Sequence, residues 1–282
     1  MKYLRLASPQ LSGIFAHARK SLEERNFADL DVFAEKLTSE AAITSSGHWS
    51  LDLYFDALNN LDDLQLNAVW EKRIDTLKQW QKASPNSLTA PVALANCLTA
   101  YAWKARGSDW AHTVSEQGWK LFHDRLQQAS EVLSQAKHKS PCWYNASQVV
   151  ALGQGWDRDR YDALFGECRK QYPTYYPPFF RKAYFILPKW HGSPGELAKY
   201  SEEAAHSVSG PDGGDVLYAR IAWSLVNQTP PTLKSENMSW PKIKSGLQTI
   251  KKRFPTVPIV SGILSAIAME YGDKGAAQAA FK

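Results

Sequence analysis

WKLFHDRLQQASEVLSQA, residues 119–136, sets the fold class. Its apolar positions include Trp119, Phe122, Leu126, Ala129, Leu133 and Ala136, at steps of three, four, three, four and three. An α-helix turns once in about 3.6 residues, so these side chains share one stripe while Lys120, Asp124, Gln127, Gln128 and Glu131 fall elsewhere. A strand would need strict alternation, which is absent. The segment predicts a long helix with one buried face.

The same stripe recurs in Phe27, Leu30, Ala34 and Leu37, in Ala90, Leu94, Cys97 and Tyr101, and in Tyr161, Leu164 and Cys168. No alternating run of useful length stands out anywhere. Breakers separate the stripes: SPNS (84–87), RGSD (106–109), KSP (139–141), YPTYYPP (172–178), GSPGE (192–196), SGPDGGD (209–215), NQTPPT (227–232), RFPTVP (253–258) and YGDKG (271–275). The segments between them have helix length, which predicts about twelve to fourteen helices joined by short connections. The expected fold is all-α, an irregular tetratricopeptide-like array of helical hairpins, or α-solenoid. Pro141 and Pro173 stand 32 residues apart, near the roughly 34-residue tetratricopeptide period. The run from Phe254 to Phe281 reads as a Pro, a helix, a Gly-Asp turn and an Ala-rich second helix. The period is not kept elsewhere. A single helical-repeat domain over residues 1–282 is expected, with N-terminal helices to 84, a central part over 85–206 and C-terminal hairpins over 207–282.

Composition narrows the partners. The net charge of +5, from 33 basic and 28 acidic residues, permits an acidic partner and does not demand nucleic acid. Three cysteines, far apart and odd in number, give no disulfide framework and no zinc spacing, and point to a reducing compartment. The first twenty residues lack the apolar run of a secretory leader, and no stretch approaches the ~18 apolar residues of a membrane span. A cytoplasmic protein without a cofactor or metal is expected. Eleven Trp, twelve Tyr and eleven Phe need either a core or a partner, because each ring carries a large apolar area.

LPKWHGSPGE (187–196) first reads as helix punctuation. Ser193, Pro194 and Glu196 fit a capping box, with Ser at the N-cap, Pro at N1 and Glu at N3, and Pro188 closes the helix before. That leaves Trp190, which plugs a gap between hairpins or faces a partner, and His191, which has no obvious nucleophile or carboxylate near it in sequence. GQGW (153–156) lacks the third glycine and the preceding strand of a dinucleotide fingerprint; it reads as a turn before Asp157, the cap of the next helix. The segment Lys234–Arg253 carries six basic residues and one acid, Glu236, and reads as a solvated helix face rather than a nucleic-acid patch. Trp143, Tyr144, Trp156, Tyr175, Tyr176, Phe179 and Phe180 form an aromatic concentration expected to be mostly core, with a minority exposed.

One pair carries potential chemistry. Arg106 and His112, six residues apart, resemble the arginine–histidine pair of the all-helical HEPN ribonucleases, in which His112 would act as base and Arg106 would stabilise phosphate charge. Gly107 and Ser108 read as a helix break between them, with Asp109 as the next N-cap, which places the pair on two elements. No metalloprotease, phosphate-loop, nucleophile-elbow or EF-hand motif is present.

Several segments together resemble a bacterial domain-of-unknown-function family with tetratricopeptide-like helices. The markers are Arg106-Gly107-x-x-Trp110-Ala111-x-Thr113-Val114, Trp119-x-x-Phe122-x-x-Arg125-Leu126 and Leu187-Pro188-Lys189-Trp190-x-Gly192-Ser193-Pro194-Gly195-Glu196. The resemblance covers the chain from about residue 10 onward. It implies a helical-repeat fold and a bacterial cytoplasmic protein. It implies no reaction and requires no histidine at position 112.

The expectation is a non-enzymatic protein–protein interaction module that presents an aromatic-lined groove to a protein or peptide, with Arg106, Trp110, Tyr175, Tyr176, Lys189 and Trp190 as contact or groove-shaping residues. By analogy, its specific form would be a neutraliser (immunity protein) of a toxin delivered by a competing bacterium. The competing classes are a HEPN-like, nucleic-acid-acting enzyme and a structural adaptor with a flat apolar patch.

Overall fold

The computed structural model of the protein describes residues 9–39, 49–59, 61, 66–107, 110–227, 232–255 and 258–281. Among them fourteen α-helices form and no β-strand does. The chain divides into two compact units, one ending at Trp156 and the other beginning at Asp157.

The first unit holds α1 (Pro9–Glu23), α2 (Phe27–Ser39), α3 (Ser50–Asn59), α4 (Asn67–Ala83), α5 (Ala90–Arg106), α6 (Glu116–Ser134) and α7 (Pro141–Gly153). Helix α1 packs on α2 and α3, α3 packs on α5, and α5 packs on α4, α6 and α7. The odd-numbered helices thus form a continuous row with the even-numbered ones beside it, which is the pairing that stacked helical hairpins produce. Helix α5 is the centre of this row. Ala90, Leu94, Cys97 and Tyr101, the stripe read from sequence, are all buried, and so are Val92, Ala93, Ala95, Leu98 and Ala102 around them. A helix apolar on nearly every side is one enclosed by others.

The second unit holds α8 (Arg158–Gln171), α9 (Pro177–Phe185), α10 (Glu196–Ser207), α11 (Asp215–Leu225), α12 (Trp240–Arg253), α13 (Pro258–Tyr271) and α14 (Lys274–Ala279). Here α9 packs on α8, α10 and α11, and α10 to α14 pack each on the next. Tyr161, Leu164 and Cys168 are buried along α8 as their spacing requires.

The breakers fall between helices, and the cap read at Asp157 forms. The Asp157 carboxylate accepts the Arg160 N–H at 2.8 Å and starts α8. Ser140 accepts the Trp143 N–H at 3.2 Å, with Pro141 at the first helical position of α7. The capping box at 193–196 needs correcting. Helix α10 begins at Glu196, because Gly195 has a left-handed φ of 80° and cannot belong to the helix. Half of the box survives: the Ser193 N–H donates to the Glu196 carboxylate at 3.0 Å. The other contribution is a carboxylate distant in sequence, since the buried Glu236 accepts the Gly195 N–H at 2.9 Å. The expected cap at Asp109 lies outside the described residues; α6 begins at Glu116, where the Ser115 hydroxyl accepts the Gly118 N–H at 3.0 Å.

One carboxylate fastens the last helices of the second unit. Asp273 accepts the Ala276 N–H at 2.9 Å, the Trp240 indole N–H at 3.0 Å and the Lys244 ammonium at 3.0 Å. These donors, the backbone one foremost, hold its pKa at about 2 against an ordinary 3.8. A depressed carboxylate pKa gives stability that is complete above the ordinary value and is lost as the pH falls through the depressed one. Trp240 fluorescence is therefore expected to change as the pH is lowered from about 4 toward 2. An Asp273→Asn chain, which cannot titrate there, is expected to lack that step. An identical acid transition in both chains would show that the tie does not hold α12 to α14.

Candidate interaction surface

The end of the α5–α6 pair gathers the side chains of greatest functional interest. Helix α5 stops at Arg106, and the Gly107 N–H donates back to the Trp103 carbonyl at 2.9 Å. After the undescribed residues 108 and 109 the chain is extended at Trp110 and makes a short 3-10 turn over Ala111–Thr113. The Thr113 N–H and hydroxyl both donate to the Trp110 carbonyl, at 2.9 and 2.8 Å, and close that turn. Gly118, in the first turn of α6, lies against the Ala105 carbonyl; a Cβ there would sit 2.9 Å from that oxygen. Only a residue without a side chain lets α6 begin so close to the end of α5.

This approach brings two tryptophans onto one buried ring, with a third, Trp110, in the connection between the helices. The Trp103 and Trp119 rings both meet the buried Phe122 ring edge-on, with centroids 4.9 and 5.7 Å away. His123 stacks on Trp119 at 5.7 Å and 21°, and the Arg106 guanidinium stands 5.7 Å from the Trp119 ring centroid. Trp103 and Trp119 are half-buried, His123 is exposed, and Trp110 is 78% exposed. An exposed tryptophan four residues after an arginine held on a ring combines the residue types that dominate binding energy at protein interfaces.

The six residues expected to touch a partner divide between the two units. Arg106 and Trp110 belong to the surface just described. Tyr175 and Tyr176 are core residues of the second unit, each only 5% exposed, which corrects the expectation that they contact a partner. They lie at the start of α9, where Tyr176 hydrogen-bonds Asp212; burial first, and then the Asp212 charge, pushes its phenol up to about 12. Lys189 is exposed with its ammonium 4.9 Å from the Tyr184 ring centroid, and Trp190 is half-buried against the same ring at 5.9 Å. Of the seven residues in the aromatic concentration, Tyr144, Tyr175, Tyr176 and Phe179 are buried and Trp143, Trp156 and Phe180 half-buried. None is exposed, so the expected exposed minority is absent.

The candidate chemistry is placed as follows. Arg106 ends α5 and His112 sits in the 3-10 turn, on separate elements as the helix break predicted. His191 lies flat on Phe185 at 4.3 Å and 14°, and Phe185 lies flat on Tyr161 at 3.6 Å and 13°. Burial first, and then the Arg158 charge, lowers its pKa. Among the described residues no carboxylate hydrogen-bonds its ring; the nearby Glu196 and Asp162 bond Arg158 instead. Among the described residues no three His, Cys, Asp or Glu side chains gather as a metal site requires. The three cysteines are buried thiols, and burial pushes Cys97 and Cys168 up to about 12, far from a reactive thiolate. No helix among the described residues is long and apolar enough to cross a membrane.

The basic segment is largely tied within its own unit. Lys242 pairs with Glu202 at 2.5 Å, Lys244 with Asp273 at 3.0 Å and Arg253 with Asp212 at 2.7 Å, while Lys251 donates to the Ala280 carbonyl at 2.7 Å. These cations brace α12 against its neighbours instead of forming a free row for phosphates.

Trp103, Trp119 and His123 were not singled out as surface residues from the sequence. Trp119 begins an apolar stripe and so reads as core. The available signal was that it stands at the N-terminal end of that stripe, four residues before His123, where a helix emerges from its packing. Comparison with family models, with curated proteins and with solved structures gives no match.

Proposed function

We propose that the chain is a non-enzymatic protein–protein interaction module whose contact face is the tryptophan surface at the α5–α6 connection. The exposure of Trp110, at 78% on a hydrogen-bonded turn, carries this reading. An exposed indole gives up ordered water on binding and loses little side-chain entropy, so it returns more affinity per residue than a long charged side chain. Arg106, held over the Trp119 ring four residues earlier in the chain, supplies a cation, which favours a protein or peptide partner with an acidic residue as well as an apolar anchor. Neutralising a bacterial toxin in the cytoplasm is the specific form of this role. It needs a ready-made contact surface and no catalytic constellation.

The test is affinity capture with tagged full-length protein, followed by titration of the captured partner. Trp110→Ala is expected to weaken binding by at least about 30-fold, the effect of removing a hot-spot ring. Its thermal unfolding should match the parent, since the side chain is mostly outside the core. Undiminished affinity in Trp110→Ala would remove the surface from the reading. RNA cleavage that disappears in His112→Ala, with no partner captured, would replace the reading with an enzyme.

A further inference from the structure

Helix α13 has two apolar faces, and the described residues of its own unit bury only one of them fully. Val260, Leu264, Ile267 and Ala268 are buried. On the other side run Ile259, Gly262, Ile263, Ala266 and Met269, at helical spacing. The first three are half-buried, Ala266 is exposed and Met269 is 57% exposed. A Cβ added to Gly262 would meet nothing within 4 Å, so the side of the helix it faces is open. From Pro258 to Met269 the helix has no charged side chain. A helix face meant only for water ordinarily carries charge.

We propose that this face docks a second copy of the chain, α13 against α13, antiparallel about a two-fold axis at residue 264. The face is self-complementary about that position. Ile259 and Met269 are equidistant from it, and so are Gly262 and Ala266. Under the two-fold each Ile259 meets the other copy's Met269, and each Gly262 meets the other copy's Ala266. Small residues meet at the centre, where the backbones come closest, and large ones meet toward the ends. Charge selects the antiparallel sense. It brings Glu270, which accepts the Lys234 N–H within its own chain at 2.9 Å, toward Lys252, the one residue of the Lys251–Lys252–Arg253 run before the other α13 that is not bonded within the described residues of its own unit. Lys252 is exposed and has no bond among the described residues, so it is available for that contact. The opposed helix dipoles add to the preference.

Sedimentation over a concentration series, with the full chain, tests this. The parent is expected to reach twice its 31.7 kDa mass. Ala266→Glu is expected to remain at a single chain mass with unchanged helicity and thermal unfolding, because the position is exposed and the buried face is untouched. Register is read by mixing Gly262→Cys chains with Ala266→Cys chains, which should form an interchain disulfide under mild oxidation. A parent that stays monomeric throughout the series, or an Ala266→Glu chain that still dimerises, overturns the proposal. Dimerisation without the 262–266 cross-link overturns the antiparallel register. Neither result bears on the tryptophan surface, which belongs to the other unit.

Discussion

A Gly246→Ala chain is expected to lose about 3 kcal/mol of stability, near the top of the range for forcing extra volume into a packed contact. Gly246 lies in α12 where it crosses α11. An added Cβ would sit 1.9 Å from the Asp215 carbonyl oxygen, 2.6 Å from the carbonyl carbon and 2.5 Å from the Ala219 Cβ. Two of those atoms are helix backbone, which cannot turn aside as a flexible side chain would. The helices must separate, and every contact between α11 and α12 loosens with them. Gly166 is the internal control. It lies in α8 of the same unit with nothing within 4 Å of its would-be Cβ, so Gly166→Ala is expected to gain roughly 0.5–1 kcal/mol from helix propensity. Urea unfolding of both chains gives the comparison. Equal midpoints would mean that α11 and α12 are not in backbone contact.

Trp80→Ala is expected to cost about 3–5 kcal/mol, the range for truncating a buried aromatic side chain. Trp80 is fully buried on α4, its ring parallel to Phe27 at 6.4 Å and 12°. Its indole N–H donates to Asp31 on α2 at 3.3 Å. The same carboxylate accepts the Ser87 hydroxyl at 2.5 Å and the Thr89 hydroxyl at 3.0 Å, while Ser87 accepts the Ala90 N–H at 2.9 Å and opens α5. One ring therefore supports both the packing of α2 on α4 and the carboxylate that organises the start of α5. Trp80→Phe keeps most of the volume and leaves Asp31 its two hydroxyl donors, so it should cost only about 1 kcal/mol more than the volume change alone. If Trp80→Ala unfolds within 1 kcal/mol of the parent, the ring is not a core element of this unit.

The helices were legible because helical periodicity and punctuation are local. The 119–136 stripe, the Asp157 cap and the break at KSP (139–141) needed no knowledge of the rest of the chain. The cap of α10 was misread because its partner is distant: Glu236 reaches Gly195 from 41 residues away. Exposure was the hardest quantity to read. Tyr175 and Tyr176 look like an interface pair in sequence, yet Pro177 and Pro178 start a helix directly after them and they turn inward. Trp110 looks no different in sequence from ten other tryptophans, and it is open because the chain has left α5 and not yet entered α6. The cations of 234–253 read as a solvated face. Their carboxylate partners come from α10, from the 209–214 loop and from the turn before α14, and one sequence cannot show those pairings.

The close approach of Gly118 to the Ala105 carbonyl also bears on how the proposed tryptophan surface would meet a partner. The end of α5 and the first turn of α6, which carry Arg106 and Trp119, approach too closely there to shift easily, so on the proposed reading these side chains should superimpose in free and bound forms and lose little ordering entropy on association. Competing partners would then arrive at similar rates and be sorted by how long they stay.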